Sequence, residues 1–545
     1  MRSPRRSLAP LLFALLASCS GTPPEPADRP DGDFVSPTEH LVRASLSLRG
    51  VRPSLEELEA VERAPDELET QIDAWLESPQ FGEVVRHMHD EWLLADVDNN
   101  YYPMGFPARG PLADRGAWAV NESISEAPAR LAEYIVVTDR PYTELVTADY
   151  TLANDVVATV WGLPYDEEAG GWQVTTYEDG RPHAGVLSDP WLHVRHASTE
   201  TNRQRSRAAH LSRALLCHDY MKREVRVPLE TDLTAGGRNA IEENPVCVSC
   251  HHTLDPLGAA FAPYRRVIVP QYTFRYPIAE YDPALAADYA PPRFYGEPVA
   301  DIYDLGQQIA EDSRFWRCSI RRFAGQLLTQ PAEDVDNAIV DAALPRFVDA
   351  GFQVRPLVKH LVLSNAFRET APRGIRRMTP WMVARSIEDL TGFRWTTTLN
   401  FGLGFGRIGD VPLLEDVTFG YKTLAGGPDG YDEWDPMTTV DPTTLLALRA
   451  LAERAAPTVV QADLAVAPTE RRLLPAVADD ADEAQIREVL MTLHFRLYGE
   501  RLTTDNPEID ALWDVHQAGG GTANPEAAWT AVVFAMLQHP RILFY

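Results

Sequence analysis

Apolar side chains return every third or fourth position along most of this chain, the period of a helix with one face turned inward. In PSLEELEAVERAPDELETQIDAWLESPQF, residues 53–81, Leu55, Leu58, Val61, Ile72, Trp75 and Leu76 keep that spacing. Ser54 precedes Glu57 by three residues, the signature of a capping box in which hydroxyl and carboxylate each satisfy a backbone N–H of the first turn. QIREVLMTLHFRLYG at 485–499 and EAAWTAVVFAMLQHPRILFY at 526–545 carry the same period. RAAHLSRALLCHDYM at 207–221 predicts an amphipathic helix with His210 and Cys217, seven apart, on one face. Strand-like runs are short, and RRVIVPQYTF at 265–274 predicts loops or a small hairpin. The predicted class is therefore mainly α: a multi-domain helical protein with a few short strands.

One pattern recurs. HLVRASLSLRGVRPSLEEL followed by WLESPQFGE near the front is echoed by MTLHFRLYGERLTTDNPEI followed by MLQHPRILF at the back. Each reads as a helix, a glycine with a nearby arginine, a Ser/Thr-initiated helix, and a helix stopped by x-Pro-x-apolar. LVLSNAFRE at 361–369 ends another helix in similar style. A duplicated helical hairpin accounts for this, as does a common way of ending helices.

The N-terminus follows a different rule. MRSPRRSLAPLLFALLASCSG has Arg2, Arg5 and Arg6, an apolar run from Leu8 to Leu16, and small residues before Cys19. That order is an export signal, too short to span a bilayer. Leu16, Ala17, Ser18 and Cys19 form a bacterial lipobox pattern, so Cys19 is the expected lipidation site and residues 1–18 the signal. SGTPPEPADRPDGD then offers almost nothing to bury, and residues 19–36 read as a disordered tether. No later run reaches eighteen apolar residues, so the lipid would be the sole membrane contact. The expected location is the bacterial cell envelope, periplasm or outer membrane.

Composition narrows the function. Apolar content of 45% and aromatic content of 9% suit globular domains. A formal net charge of −29 argues against a nucleic-acid surface, which needs a basic patch.

NPVCVSCHHTLDPLG at 244–258 carries the chemistry: Cys247, Cys250 and His251 spaced C-x-x-C-H. With 5 Cys and 14 His in 545 residues, chance placement gives this about once in a thousand such chains. Zinc needs four ligands, and no second C-x-x-C or H-x-x-x-H lies nearby. The spacing suits one covalent haem c, in which two thiols add across the vinyl groups and the adjacent imidazole turns onto the iron. Export agrees, because bacterial haem attachment happens outside the cytoplasm. His251 is then the proximal ligand. For the distal position the next methionine, Met378, is more than a hundred residues on, so the candidates lie upstream: His196 first, with His210 and Met221 as alternatives among His193, His196, His210, His218 and Met221. His252 adjoins the proximal ligand and cannot cross the ring.

With Cys19 assigned to lipid, Cys217 and Cys318 are left over. In an oxidising compartment two thiols that lie close in space pair, so a Cys217–Cys318 disulfide is expected, two buried free thiols being the alternative. Other signals are weaker. GLGFGRIG at 402–409 lacks the strand and the Lys-Ser/Thr of a phosphate loop and reads as a flexible loop. His87 and His89 in HMHDEW are two apart, off a common helical face, which disfavours a metal site.

In order, LVTADYTLANDVVATVWGLP at 145–164, HAGVLSDPWLHVRHAS at 183–198, RALLC, ENPVCVSCHHTLDPLG and SRFWRCSIRRFAGQLL, with SLRGVRPSLEELEA and WLESPQFGE before them, resemble the large cytochrome-c-like surface proteins of planctomycetes and myxobacteria, built of domains of unknown function. The resemblance spans about residues 40–370 and includes Asp255, Pro256 and Gly258 after the haem motif. It departs at TNRQRSRAAH, where the family tends to a Thr-Ser-Pro and Arg-Gly pattern, and at AAFAPYRR, where Ala262 and Tyr264 stand in place of Glu-x-Phe-Asp. It implies a haem-binding, electron-transferring surface protein. The organisation expected is a helical domain at 37–180, a cytochrome-c-like haem domain at 181–335 and a second helical domain at 336–545. Single-electron transfer to an undetermined redox partner is the leading function. A haem enzyme or sensor with an open sixth iron position, and a non-catalytic binding scaffold, are the alternatives.

Overall fold

Serine, aspartate and asparagine start most of the helices, each offering a side-chain oxygen to an otherwise unpaired backbone N–H. The computed structural model describes residues 34–95, 106–196, 202–222, 241, 244–264, 275–278, 281–370, 376–400, 407–416, 419–428, 437, 439–474 and 481–545. Cys19, the rest of the signal and RRVIVPQYTF lie outside the described residues.

The first helices are α1 (Pro37–Arg49), α2 (Leu55–Arg63), α3 (Glu67–Leu76), α4 (Pro79–Leu93) and α5 (Ala117–Val137). Both Ser36–Glu39 and Ser54–Glu57 close as capping boxes, on α1 and α2. The periodic stretch over 53–81 is broken between α2 and α3, where Ala64 leaves helical geometry ahead of Pro65. The chain continues through α6 (Asp155–Trp161), α7 (Pro190–Arg195), α8 (Arg205–Leu216), α9 (Pro245–Ala259), α10 (Ile302–Glu311), α11 (Ser313–Leu328), α12 (Asn337–Asp349) and α13 (Val354–Val362). It ends with α14 (Pro380–Thr391), α15 (Pro442–Leu464), α16 (Glu483–Tyr498), α17 (Pro507–Ala518) and α18 (Pro525–Gln538).

Among the described residues strands occur as three antiparallel pairs: β1 (Thr151–Ala153) with β2 (Gln173–Thr175), β3 (Arg293–Phe294) with β4 (Glu297–Pro298), and β5 (Thr396–Asn400) with β6 (Arg407–Pro412). The protein is mainly helical, as its periodicity predicts. No helix among the described residues is long and apolar enough to cross a membrane.

Two local expectations are corrected. The GLGFGRIG stretch is not all loop, because Arg407 onward pairs with β5. The amphipathic helix that holds His210 stops at Leu216, and Cys217 follows it with φ 51°.

The echoed pattern corresponds to matching element order. α1 ends at Gly50 and α16 at Gly499, each left-handed, with φ 70° and 74°. A loop, two helices and an x-Pro stop follow in both places, although the second copy's hairpin opens at Asn506 rather than at a Ser or Thr. The two stretches also meet. A Cβ on Gly499 would sit 2.7 Å from Val42 of α1, so only glycine allows that approach. Arg52, 2% exposed, donates to the carbonyls of Ile542 and Phe544. One hydrophobic cluster runs from Leu41 to Leu543.

Candidate functional site

Asn244 caps α9 by accepting from the Val246 N–H, and Pro245 occupies the first turn where its missing N–H costs nothing. On this helix Cys247, Cys250 and His251 stand at i, i+3 and i+4, which places all three on one face. Both cysteines are free thiols of intermediate exposure. One turn on, the Asp255 carboxylate accepts a 2.8 Å hydrogen bond from His251 Nδ1. A carboxylate can only accept, so the proton sits on Nδ1 and the lone pair on Nε2. A metal-binding histidine is commonly oriented in this way by an acidic neighbour.

Asp255 is itself held from the next helix. Arg205 of α8 grips both carboxylate oxygens at 2.6 Å. Burial pushes the Asp255 carboxyl up, but the hydrogen bonds from Arg205 and His251 outweigh it and hold the group below the usual carboxylate range. Gly258 lets α9 lie close to the start of α8, since a Cβ there would stand 3.2 Å from the Arg203 carbonyl.

Arg207, 1% exposed, knots the surrounding segments together. It donates to the His193 carbonyl at 2.8 and 3.2 Å, to the Phe261 carbonyl at 3.3 Å and to the Tyr264 carbonyl at 3.0 Å. Tyr264 stacks on the His193 ring at 4.0 Å. Sequence reading passed over Arg205 and Arg207. A signal existed: Arg207 precedes His210, Leu211 and Ala214 by three, four and seven positions, on the inward face of α8.

His196 and His210 are both buried, stack with ring centroids 3.4 Å apart, and each turns Nε2 to the Leu93 carbonyl, at 3.2 and 2.8 Å. Burial drives both imidazoles to the neutral form, His210 down to about 3. His193 is likewise buried, with Nε2 on the Leu187 carbonyl. His218 stands against Tyr220, and Met221 is 85% exposed. Cys217 and Cys318 form a disulfide with Cα atoms 5.3 Å apart, tying the end of α8 to α11.

The residues of α9 fit a covalent haem: two unpaired thiols and an imidazole lone pair share one half-exposed helical face. Among the described residues no group of three or more His, Cys, Asp or Glu is placed to hold a bare metal ion.

Residues 39–163 match the model of a family described as PSD4, a protein of unknown function (DUF1592), and residues 183–267 match that of PSCyt3, a protein of unknown function (DUF1588). The two segments lie in tandem, and the second contains Cys247, Cys250 and His251. No curated protein and no solved structure matches the chain.

Proposed function

We propose that this is an exported, lipid-anchored mono-haem c-type cytochrome-like protein that passes single electrons at the cell envelope. Cys247 and Cys250 would hold the haem by thioether bonds, and His251 would be the proximal iron ligand. The observation that carries this reading is the His251–Asp255 hydrogen bond, which puts the imidazole lone pair on Nε2 beside two free thiols. When bound, a c-type haem supplies a one-electron couple whose potential depends on its axial ligands and surroundings. Arg205 and Asp255 fix the tautomer and ring orientation of His251, and α9 is locked against α8 by the same pair. His196 is the distal ligand in this proposal, and it must exchange the Leu93 carbonyl for iron. Lipid attachment at Cys19 and an envelope location rest on the sequence of the signal alone.

The test is a visible spectrum of protein expressed with its signal and a cytochrome c maturation system, oxidised, then dithionite-reduced, then exposed to carbon monoxide. A reduced alpha band that survives denaturation is expected for the wild type and is expected to be lost in Cys247→Ala. Indifference to carbon monoxide agrees with a filled sixth position. A shift would instead favour a sensor or enzyme. A parent protein with no Soret band, like its Cys247→Ala variant, would sink the haem reading.

A further inference from the structure

The chain carries 79 acidic and 50 basic side chains, yet one of its larger cavities is walled by arginines. This cavity has a volume of about 440 Å³ and lies between α4, α8, α11, the start of α14, Met437 and Thr439. Arg213, Arg322 and Arg377 line it. Arg377 is 3% exposed and is held by four neutral acceptors: the carbonyls of Met437, Thr439 and Ala425 and the hydroxyl of Thr444. Gly426 leaves the room, since a Cβ there would stand 2.6 Å from both Nη atoms. No carboxylate pairs with Arg377 among the described residues. The Asp441 carboxylate acts on it only through the Thr444 hydroxyl that both bond, and an anion in the adjoining cavity would add to that compensation.

A second observation points the same way. Gln330 also lines the cavity, and its buried Nε2 donor has no acceptor. Buried donors are almost always satisfied, and an oxygen of a ligand in the cavity would complete this one. Of the acidic residues at this wall, Glu91 pairs with His87 at 3.3 Å and Asp334 is exposed. The remaining wall includes Trp92 and Met382, which suit a hydrocarbon body.

We infer that this cavity binds a small organic carboxylate. Guanidinium groups match a carboxylate in charge and hydrogen-bonding geometry, Trp92 and Met382 give a carbon frame something to pack on, and the volume falls in the range of about 300–1,000 Å³ usual for small-molecule sites. None of these residues belongs to the haem motif, so the inference stands whether or not haem is attached.

The experiment is calorimetric titration of the full chain with citrate, succinate and, for comparison, inorganic phosphate, at low ionic strength. It is paired with mass-spectrometric mapping of arginines protected from dicarbonyl modification. One-to-one binding of citrate or succinate is expected, with Arg213 or Arg322 protected. Affinity should fall about tenfold in Arg322→Gln and in Gln330→Met, the range of one charge-assisted or one buried hydrogen bond. Arg501→Gln, a surface ion-pair change outside the cavity, should bind as the parent does. Gln330→Met removes a donor that has no protein partner, so it should fold normally and report on the ligand alone. No saturable binding of either carboxylate, tighter binding of phosphate, or equal affinity in Arg322→Gln and the parent would each overturn the inference.

Discussion

Asp189 shows how one buried carboxyl sets a pH dependence. It is 3% exposed and caps α7 by accepting from the N–H groups of Trp191 and Leu192 at 2.8 and 3.3 Å. Burial raises its pKa to about 7, more than those hydrogen bonds and the Arg181 charge lower it. In the unfolded chain the carboxyl ionises near its ordinary value of 3.8. A folded pKa above the unfolded one means the native state is favoured below pH 3.8 and loses stability as pH climbs to about 7. Asp189→Asn keeps the capping oxygen and removes the charge. It should match the parent in denaturant stability near pH 4 and exceed it by roughly 2–4 kcal/mol at pH 8. A gap that does not widen between those pH values would refute the buried-charge account. The sequence shows the cap, since Asp before Pro at a helix start is a local signal. It does not show the burial, which comes from packing by distant segments. For the same reason the tautomer-setting bond from His251 to Asp255, four residues apart on one helix, is legible in retrospect, while the arginine wall drawn from positions 213, 322 and 377 is not.

At the scale of elements, the disulfide between Cys217 and Cys318 joins α8 to α11 across a separation of 101 residues. A crosslink of that span removes much of the freedom of the unfolded chain, so reduction, or a Cys217→Ser and Cys318→Ser double variant, should cost about 2–4 kcal/mol of unfolding free energy. Urea titration with and without reductant reads this out. An unchanged midpoint after thiol titration has confirmed full reduction would remove the disulfide from the account of stability. Element type was largely legible because capping boxes and a 3.6-residue apolar period act within a few residues of sequence. Element ends were less so. α8 stops at Leu216 because Cys217 takes a left-handed conformation, which the periodicity of RAAHLSRALLCHDYM does not announce. The Arg407–Pro412 strand was hidden by the glycines of GLGFGRIG, which look like a loop until β5 pairs with its last residues.

For the whole molecule the governing quantity is a formal net charge of −29. Its self-repulsion acts across tens of ångströms, whereas each ion pair acts over a few. The two respond differently to salt, because the screening length shrinks from about 30 Å at 0.01 M to about 8 Å at 0.15 M. Many of the pairs are exposed, such as Lys222–Glu333, with side chains 61% and 52% accessible, and Arg449–Glu453, with 64% and 53%. Pairs of that kind contribute roughly 0–1 kcal/mol each and lose only part of it on screening, since their charges sit well inside either length. The long-range repulsion is the larger loss to be relieved. Raising sodium chloride from about 0.01 to about 0.15 M should therefore raise the melting temperature, with most of the rise complete by the upper value. Scanning calorimetry across that range decides the matter: a melting temperature that falls with salt would mean that the surface pairs, and not the net charge, dominate the electrostatics of this fold.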